Sequence, residues 1–296
     1  MTSDAGVAPR RVQAGGVALG WREWGQGDVT VVFIHGNLAS KEWLELAAPL
    51  FPPGIRTVGI DWRGCGDSDR PAATPGYANY SMQQHAEDMI AALDALGIDF
   101  CHLATHSTGG IIAARMLLMQ PERFGRVLHL DPISPAGAAF GPEQVQLFRD
   151  MSASKPMTRA IMATAASSLF EPQSLSDPAG PRFKAEVDGA RRAAFERIID
   201  QTFTVAEGIW LGTPHNLTWE HTDGRLAARM GEMRHPQLVL WGEDDLWIVR
   251  ADLERMTREM PDCRLVVLPK LGHSANLELP ALFAGYFGAW FGGLPR

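Results

Sequence analysis

The stretch Leu103-Ala-Thr-His-Ser-Thr-Gly-Gly-Ile-Ile112, LATHSTGGII, closes an apolar run with a serine among small residues and restarts at once in a helical pattern. Cys101 to Thr105 reads as a strand, His106-Ser107-Thr108 as a sharp elbow, and Gly109 to Gln120 as a helix stopped by Pro121. A serine at such an elbow projects above the sheet edge. Free amides and the positive end of the helix dipole lie beside it, which suits a nucleophile. Gly109 and Gly110 are expected where strand and helix approach closely. The bland alternative is that Ser107 only caps the helix.

Outward from this turn, apolar runs alternate with helical patterns. Strands are expected at Val17 to Trp24, Val29 to His35, Ile55 to Asp61, Phe100 to Thr105, Arg126 to Asp131, Gln237 to Gly242 and Arg264 to Leu268. Helices are expected near Lys41 to Leu50, Ser81 to Leu96, Thr108 to Gln120, Ala251 to Met260 and Pro280 to Phe291. Runs such as TVVFIH and PQLVLWG suit strands buried on both faces, so the fold class is α/β with a mainly parallel, doubly wound central sheet. The alternation lapses after Asp131 and resumes near His235. The expected organisation is a core domain of residues 1–133 and 235–296 with a helical lid, 134–234, broken by Pro172, Pro178, Gly180 and Pro181. Residues 1–10 are expected to be a loose tail.

The chain has 296 residues, 46% hydrophobic and 21% charged, which supports a well-filled core. A formal charge of -7 without a basic stripe argues against a nucleic-acid partner. No segment is long and uncharged enough to span a bilayer, and no signal peptide is evident, so a cytoplasmic protein without a membrane span is expected. Three cysteines, Cys65, Cys101 and Cys263, are expected to be reduced. The histidines show no metal-ligand spacing, and no phosphate-binding glycine motif opens a helix, so neither metal nor cofactor is expected.

Thr105-His-Ser-Thr-Gly109 resembles the G-x-S-x-G elbow of the α/β-hydrolase family, with Thr105 in place of the first glycine. Either the elbow opens slightly there or its neighbours are small. Further matches follow in the family's order. In Pro236–Val249, PQLVLWGEDDLWIV, the resemblance selects Asp245 as the acid, with Asp244 and Asp131 as rivals. In Leu265–Pro280, LVVLPKLGHSANLELP, it selects His273. A serine needs a histidine to take its proton and a carboxylate to orient that histidine, so Ser107, His273 and Asp245 are the implied triad. Singly, the acids also read as turn residues and His273 as a surface residue.

FIHGNLAS, Phe33–Ser40, resembles the family's HGx turn, which implies an oxyanion hole from the backbone amides of Asn37 and Thr108, with His35 structural. GIDWRGCGDSDRP, Gly59–Pro71, resembles the D-x-R-G-x-G-x-S signature through Asp61, Arg63, Gly64, Gly66 and Ser68; it reads as architecture. Leu38, His106, Met162, Trp210 and Trp219 are pocket candidates, with Met151, Met157, Leu169 and Phe170 also available; ordinary lid core is the alternative for each. A lid Arg149 or Arg159 pointing inward would indicate an acidic substrate.

A serine at the elbow argues against the family's epoxide and halide chemistries, which use aspartate there. The resemblance implies hydrolysis of a small to medium carboxylic ester through an acyl-enzyme. A lactonase, a carbon–carbon bond hydrolase acting on vinylogous diketones, and a non-enzymatic ligand receptor on the same fold stay open. The expected partner is a small-molecule ester, and oligomeric state is not legible.

Overall fold

The computed structural model describes residues 10–293. Eight strands form one sheet: β1 (Arg10–Ala14), β2 (Val17–Trp24), β3 (Val29–Ile34), β4 (Ile55–Ile60), β5 (Cys101–His106), β6 (Phe124–Leu130), β7 (Gln237–Gly242) and β8 (Cys263–Leu268). Their spatial order is β1-β2-β4-β3-β5-β6-β7-β8. The β1–β2 and β2–β4 pairs are antiparallel, and every pair from β4 to β8 is parallel. The sequence reading missed β1. The expected loose tail falls mostly on residues 1–9, outside the described residues, while Arg10 opens the strand.

Successive side chains of a strand point to opposite faces, and here both faces are covered. Val32 and Ile34 enter one apolar cluster with Leu103, Val127 and Val239; Val31 and Phe33 enter the other with Ala104, Leu128 and Leu240. The first cluster is closed by α1 (Met82–Ala95), α2 (Gly109–Met119) and α8 (Arg250–Glu259). The second is closed largely by α10 (Pro280–Phe291), whose Phe283, Phe287 and Phe291 are buried. Truncating Phe287 to Ala is expected to cost about 3–5 kcal/mol.

Helix α1 shows how local signals set these elements. The Ser81 hydroxyl accepts the Gln84 amide at 3.1 Å as N-cap, Met82, Ala86, Met89, Ile90 and Leu93 form the buried stripe, and Gly97 follows in a left-handed turn at φ 66°. The segment Lys41 to Leu50 departs from the expected helix. It forms two short 3₁₀ turns, Lys41–Leu44 and Ala48–Leu50, because the Lys41 ammonium is drawn inward to Asp61 at 2.7 Å and Asp67 at 2.6 Å, and Pro49 supplies no amide.

Between β6 and β7 the chain forms α3 (Pro142–Ala153), α4 (Lys155–Ala165), α5 (Gly189–Thr202), α6 (Glu207–Trp210) and α7 (Gly212–Asp223). The predicted Pro/Gly breakers lie between α4 and α5. This insertion is tied to the sheet module by polar bonds: Thr202 donates to the Leu38 carbonyl at 2.9 Å, Ser40 to Gln201 at 2.9 Å, and Asn216 to the Tyr80 carbonyl at 3.0 Å. A last short helix, α9 (Ala275–Glu278), was not expected.

The loop at Gly59–Pro71 is architectural. Arg63 grips Asp88 with two bonds of 2.6 and 2.7 Å, while Asp61 accepts the Lys41 amide and ammonium at 2.7 Å each. Cys65 and Cys101 are buried and Cys263 is half-buried, all as free thiols. No helix among the described residues is long and apolar enough to cross a membrane.

Candidate active site

Parallel strands deliver their carboxyl ends to one rim, and the candidate residues come from four of those ends. Ser107 follows β5 with φ 51°, a conformation that non-glycine side chains rarely adopt, and its amide is fixed to the Leu130 carbonyl at 3.0 Å. The crowding that requires glycine is nearby. A Cβ on Gly109 would stand 2.2 Å from the Ile34 carbonyl oxygen, and one on Gly36 would stand 2.8 Å from the Ser107 Cβ.

Thr105 has a definite partner. Its hydroxyl donates to Nδ1 of His129 on β6 at 2.8 Å, and His129 donates from Nε2 to Gln237 on β7 at 2.9 Å. Burial pushes the His129 pKa down to about 4, so the ring is neutral and Nδ1 is free to accept. Neither an opened elbow nor small neighbours had suggested this buried polar chain across three strands, in which a glycine would leave His129 without its donor.

The Asp245 carboxylate, past the end of β7, accepts Nδ1–H of His273 at 2.8 Å. Its other oxygen accepts the amides of Trp247 at 2.7 Å and Ile248 at 3.3 Å. Burial is the largest single influence and pushes this carboxyl up. The combined pull of His273 and the two amides outweighs it, leaving Asp245 below the usual carboxylate range. With Nδ1 committed, Nε2 is the remaining nitrogen of His273, and His273 and Ser107 line the same cavity.

Three further residues fix the ring of His273 or the loop that carries it. Trp247 stacks on it with ring centroids 5.6 Å apart, and His106 donates from Nε2 to the His273 carbonyl at 2.9 Å. Burial first, and then His273, push the His106 pKa down to about 3, so His106 stays neutral. Glu278 on α9, which sequence reasoning missed, accepts the amides of Gly272 and Ser274 at 3.1 Å each, bracketing His273, and that of Ser168 at 3.0 Å. The spacing Ser274 to Glu278, one helical turn, was the available signal.

His35 donates from Nδ1 to the Gly36 carbonyl at 2.8 Å and accepts the Trp62 amide at 3.2 Å, so both nitrogens are engaged in shaping the turn that carries Asn37. Asp244 donates its amide to the Leu271 carbonyl at 2.9 Å and takes no part in the His273 contact. Asp131 lies close by. Atoms of Asp131, Asp245 and His273 fall within 4.8 Å of one another, the only such group among the described residues with the donors for a metal ion. Asp245 and His273 already bond each other there.

The cavity above Ser107 measures about 420 Å³. Asn37, Leu38, His106, Thr108 and Met162 line it, with Trp43, Phe140, Phe148, Met151, Ile161, Leu217 and Trp247. Trp210 and Trp219 do not. Trp210 is 5% exposed and packs into the core against Phe203, whereas Trp219 is 47% exposed beneath the Arg225 guanidinium. Helical phase decides this: α7 turns Leu217 inward and its second neighbour outward. Met157, Leu169 and Phe170 are also absent from the lining, as are Arg149 and Arg159. Arg159 is spent on Glu196 at 2.8 Å.

Comparison with known proteins places this geometry. The chain is 28% identical over 278 residues to the dihydrolipoyllysine-residue acetyltransferase component of the acetoin cleaving system of Pseudomonas putida, covering 92% of this chain and 66% of that protein. It therefore spans just under two thirds of that relative's length. It is 26% identical to 2-hydroxy-6-oxononadienedioate/2-hydroxy-6-oxononatrienedioate hydrolase 1 of Dechloromonas aromatica, covering 88% of this chain and 86% of that one. An esterase from Exiguobacterium antarcticum shares the fold with a TM-score of 0.76 at 19% identity, over 96% of this chain and 99% of that one. The family model of the alpha/beta hydrolase fold matches residues 29–280, so the chain belongs to the alpha/beta hydrolase fold family.

Proposed function

We propose that the protein is a serine hydrolase that cleaves neutral, apolar carboxylic esters through an acyl-enzyme, with residues 134–234 acting as the lid. The observation that carries this reading is the cavity: Ser107 and His273 open into it, and among the described residues its lining includes no Arg, Lys, Asp or Glu.

In this reading the Ser107 oxygen attacks the ester carbonyl carbon while His273 Nε2 takes its proton. Asp245 stabilises the imidazolium that forms. The carbonyl oxygen becomes an anion held by the amides of Asn37 and Thr108; losing one such donor typically costs about 2.7–4 kcal/mol of transition-state stabilisation. Nε2 then protonates the departing alkoxide, leaving the acyl group on Ser107. A water gives a proton to His273 and attacks the acyl carbon, and Ser107 recovers its proton as the acid leaves. A lactone is the same reaction with the alcohol still tethered.

The carbon–carbon reading fits less well. The dienedioate in the relative's name carries two carboxylates, and burying an anion in this cavity without a cationic partner is costly. The test is a comparison of kcat/KM for neutral short- and medium-chain esters, lactones and a ring-cleavage dienoate. Esters are expected to lead; a dienoate turned over while neutral esters are not would overturn the proposal.

A further inference from the structure

The turn that carries Asn37 is clamped at both ends by the core domain. His35 donates to the Gly36 carbonyl at 2.8 Å, and the Lys41 amide donates to Asp61 at 2.7 Å. Between those clamps Leu38 stands at φ 56°, a left-handed conformation that a non-glycine residue keeps only where its surroundings impose it. Leu38 is buried and lines the cavity above Ser107.

Support for the middle of this turn comes from the insertion. Thr202, fully buried at the end of α5, donates to the Leu38 carbonyl at 2.9 Å, and its neighbour Gln201 accepts the Ser40 hydroxyl at 2.9 Å. The Thr202 hydroxyl also lies 3.0 Å from the Ile198 carbonyl one helical turn back, so its proton is shared and its rotamer is fixed toward the turn. Phe195, Ile198 and Ile199 anchor α5 itself in apolar surroundings. Two adjacent residues of one helix thus grip the two residues that flank Ala39.

A peptide plane is rigid, so the direction of an amide is set by the dihedrals on either side of it. With Gly36 and Lys41 fixed, a Leu38 that relaxed out of the left-handed region would force compensating rotations within Asn37, Ala39 and Ser40. The Asn37 amide would turn with them.

We propose that Thr202 is a positioning residue: from the insertion it holds Leu38 in its left-handed conformation and so keeps the Asn37 amide aimed at the oxyanion, with Gln201 as a second anchor. This deepens the serine-hydrolase reading above and rests on it. The insertion then does more than cover the cavity, because one of its helices sets the geometry that stabilises the transition state.

The experiment compares wild type, Thr202→Val and Thr202→Ser in hydrolysis of a neutral p-nitrophenyl ester and in inhibition by a trifluoromethyl ketone, whose adduct carries an oxyanion. Folding is checked by circular dichroism and thermal melting. Thr202→Val keeps the shape and loses the donor. Its kcat is expected to fall at least about tenfold, short of the ~10²–10³-fold that removing an oxyanion donor outright costs, with KM within about twofold of wild type. Its inhibition constant for the ketone should rise by the factor lost from kcat/KM. Thr202→Ser restores the hydroxyl and should stay within about threefold of wild type on both readouts. A Thr202→Val variant with kcat near wild type, a loss confined to KM, or a kcat loss without weaker ketone binding would overturn the proposal. If Thr202→Val does not fold, Gln201→Leu decides: a lower kcat with proportionally weaker ketone binding supports the proposal, and unchanged values on both defeat it. Failure of wild type to hydrolyse any neutral ester would instead remove the hydrolase reading.

Discussion

Thr105 on β5 and His129 on β6 sit directly opposite each other in the parallel register and are joined by a 2.8 Å hydrogen bond from the threonine hydroxyl to Nδ1. That bond explains why a threonine occupies the position where the family's elbow has glycine. Thr105→Val should destabilise the protein by about 1–3 kcal/mol by orphaning a buried acceptor, and Thr105→Ser should recover most of that. Thr105→Gly loses the same bond and adds backbone freedom. Urea denaturation midpoints check this; a Val variant as stable as wild type would contradict it.

Glu278 accepts the two amides that flank His273. Glu278→Ala is expected to lower kcat on a neutral ester at least about tenfold with little change in KM, since the loop carrying the base loosens while the cavity persists. Steady-state kinetics with a thermal-melt control measures this. Glu278→Gln, which keeps one acceptor oxygen, should fall between the two.

Burial pushes the pKa values of four fully buried histidines down: His35 and His129 to about 4, His85 and His106 to about 3. Unfolded histidines titrate near 6.5, so below that pH the unfolded state binds more protons and folding stability falls. The stability is fully present above about pH 6.5 and is lost as pH drops toward the folded values, at up to about 1.4 kcal/mol per pH unit for each histidine. Burial raises the carboxyls of Asp131, Asp88, Glu220 and Glu278, and these oppose the trend as pH falls. Denaturation midpoints from pH 7.5 to 4.5 should decline below about pH 6.5; a flat profile to pH 5 would count against the neutral, buried assignments.

The uncharged cavity should discriminate by charge. An ester whose acyl tail ends in a carboxylate is expected to show kcat/KM at least about tenfold below its neutral isostere. Leu147, 37% exposed among the cavity-lining residues, offers a place to reverse this. Leu147→Arg should narrow the gap, and equal turnover of both esters by wild type would refute the charge argument.

Much of this was legible in the sequence because parallel strands announce themselves as continuous apolar runs. β2 and β7 were read to the residue, and the elbow, acid loop and histidine loop follow from strand ends. β1 was missed because RRVQA on an edge carries little apolar signal. Lys41 to Leu50 misled because an apolar periodicity there hides a lysine recruited by acids about twenty residues downstream. The cavity lining was the least readable part: which face of α7 or α4 turns inward depends on packing within the insertion, and that is how Trp219 came to be expected where Leu217 stands. Glu278 was hidden for another reason, since its partners are backbone amides, which leave no residue-type pattern.

The central claim is that Ser107 becomes covalently acylated. Intact-mass and peptide analysis after treatment with a fluorophosphonate tests it most directly. One adduct on the peptide containing Ser107, lost together with ester turnover in Ser107→Ala, is the predicted result. An adduct elsewhere, or ester turnover that survives Ser107→Ala, would contradict the account.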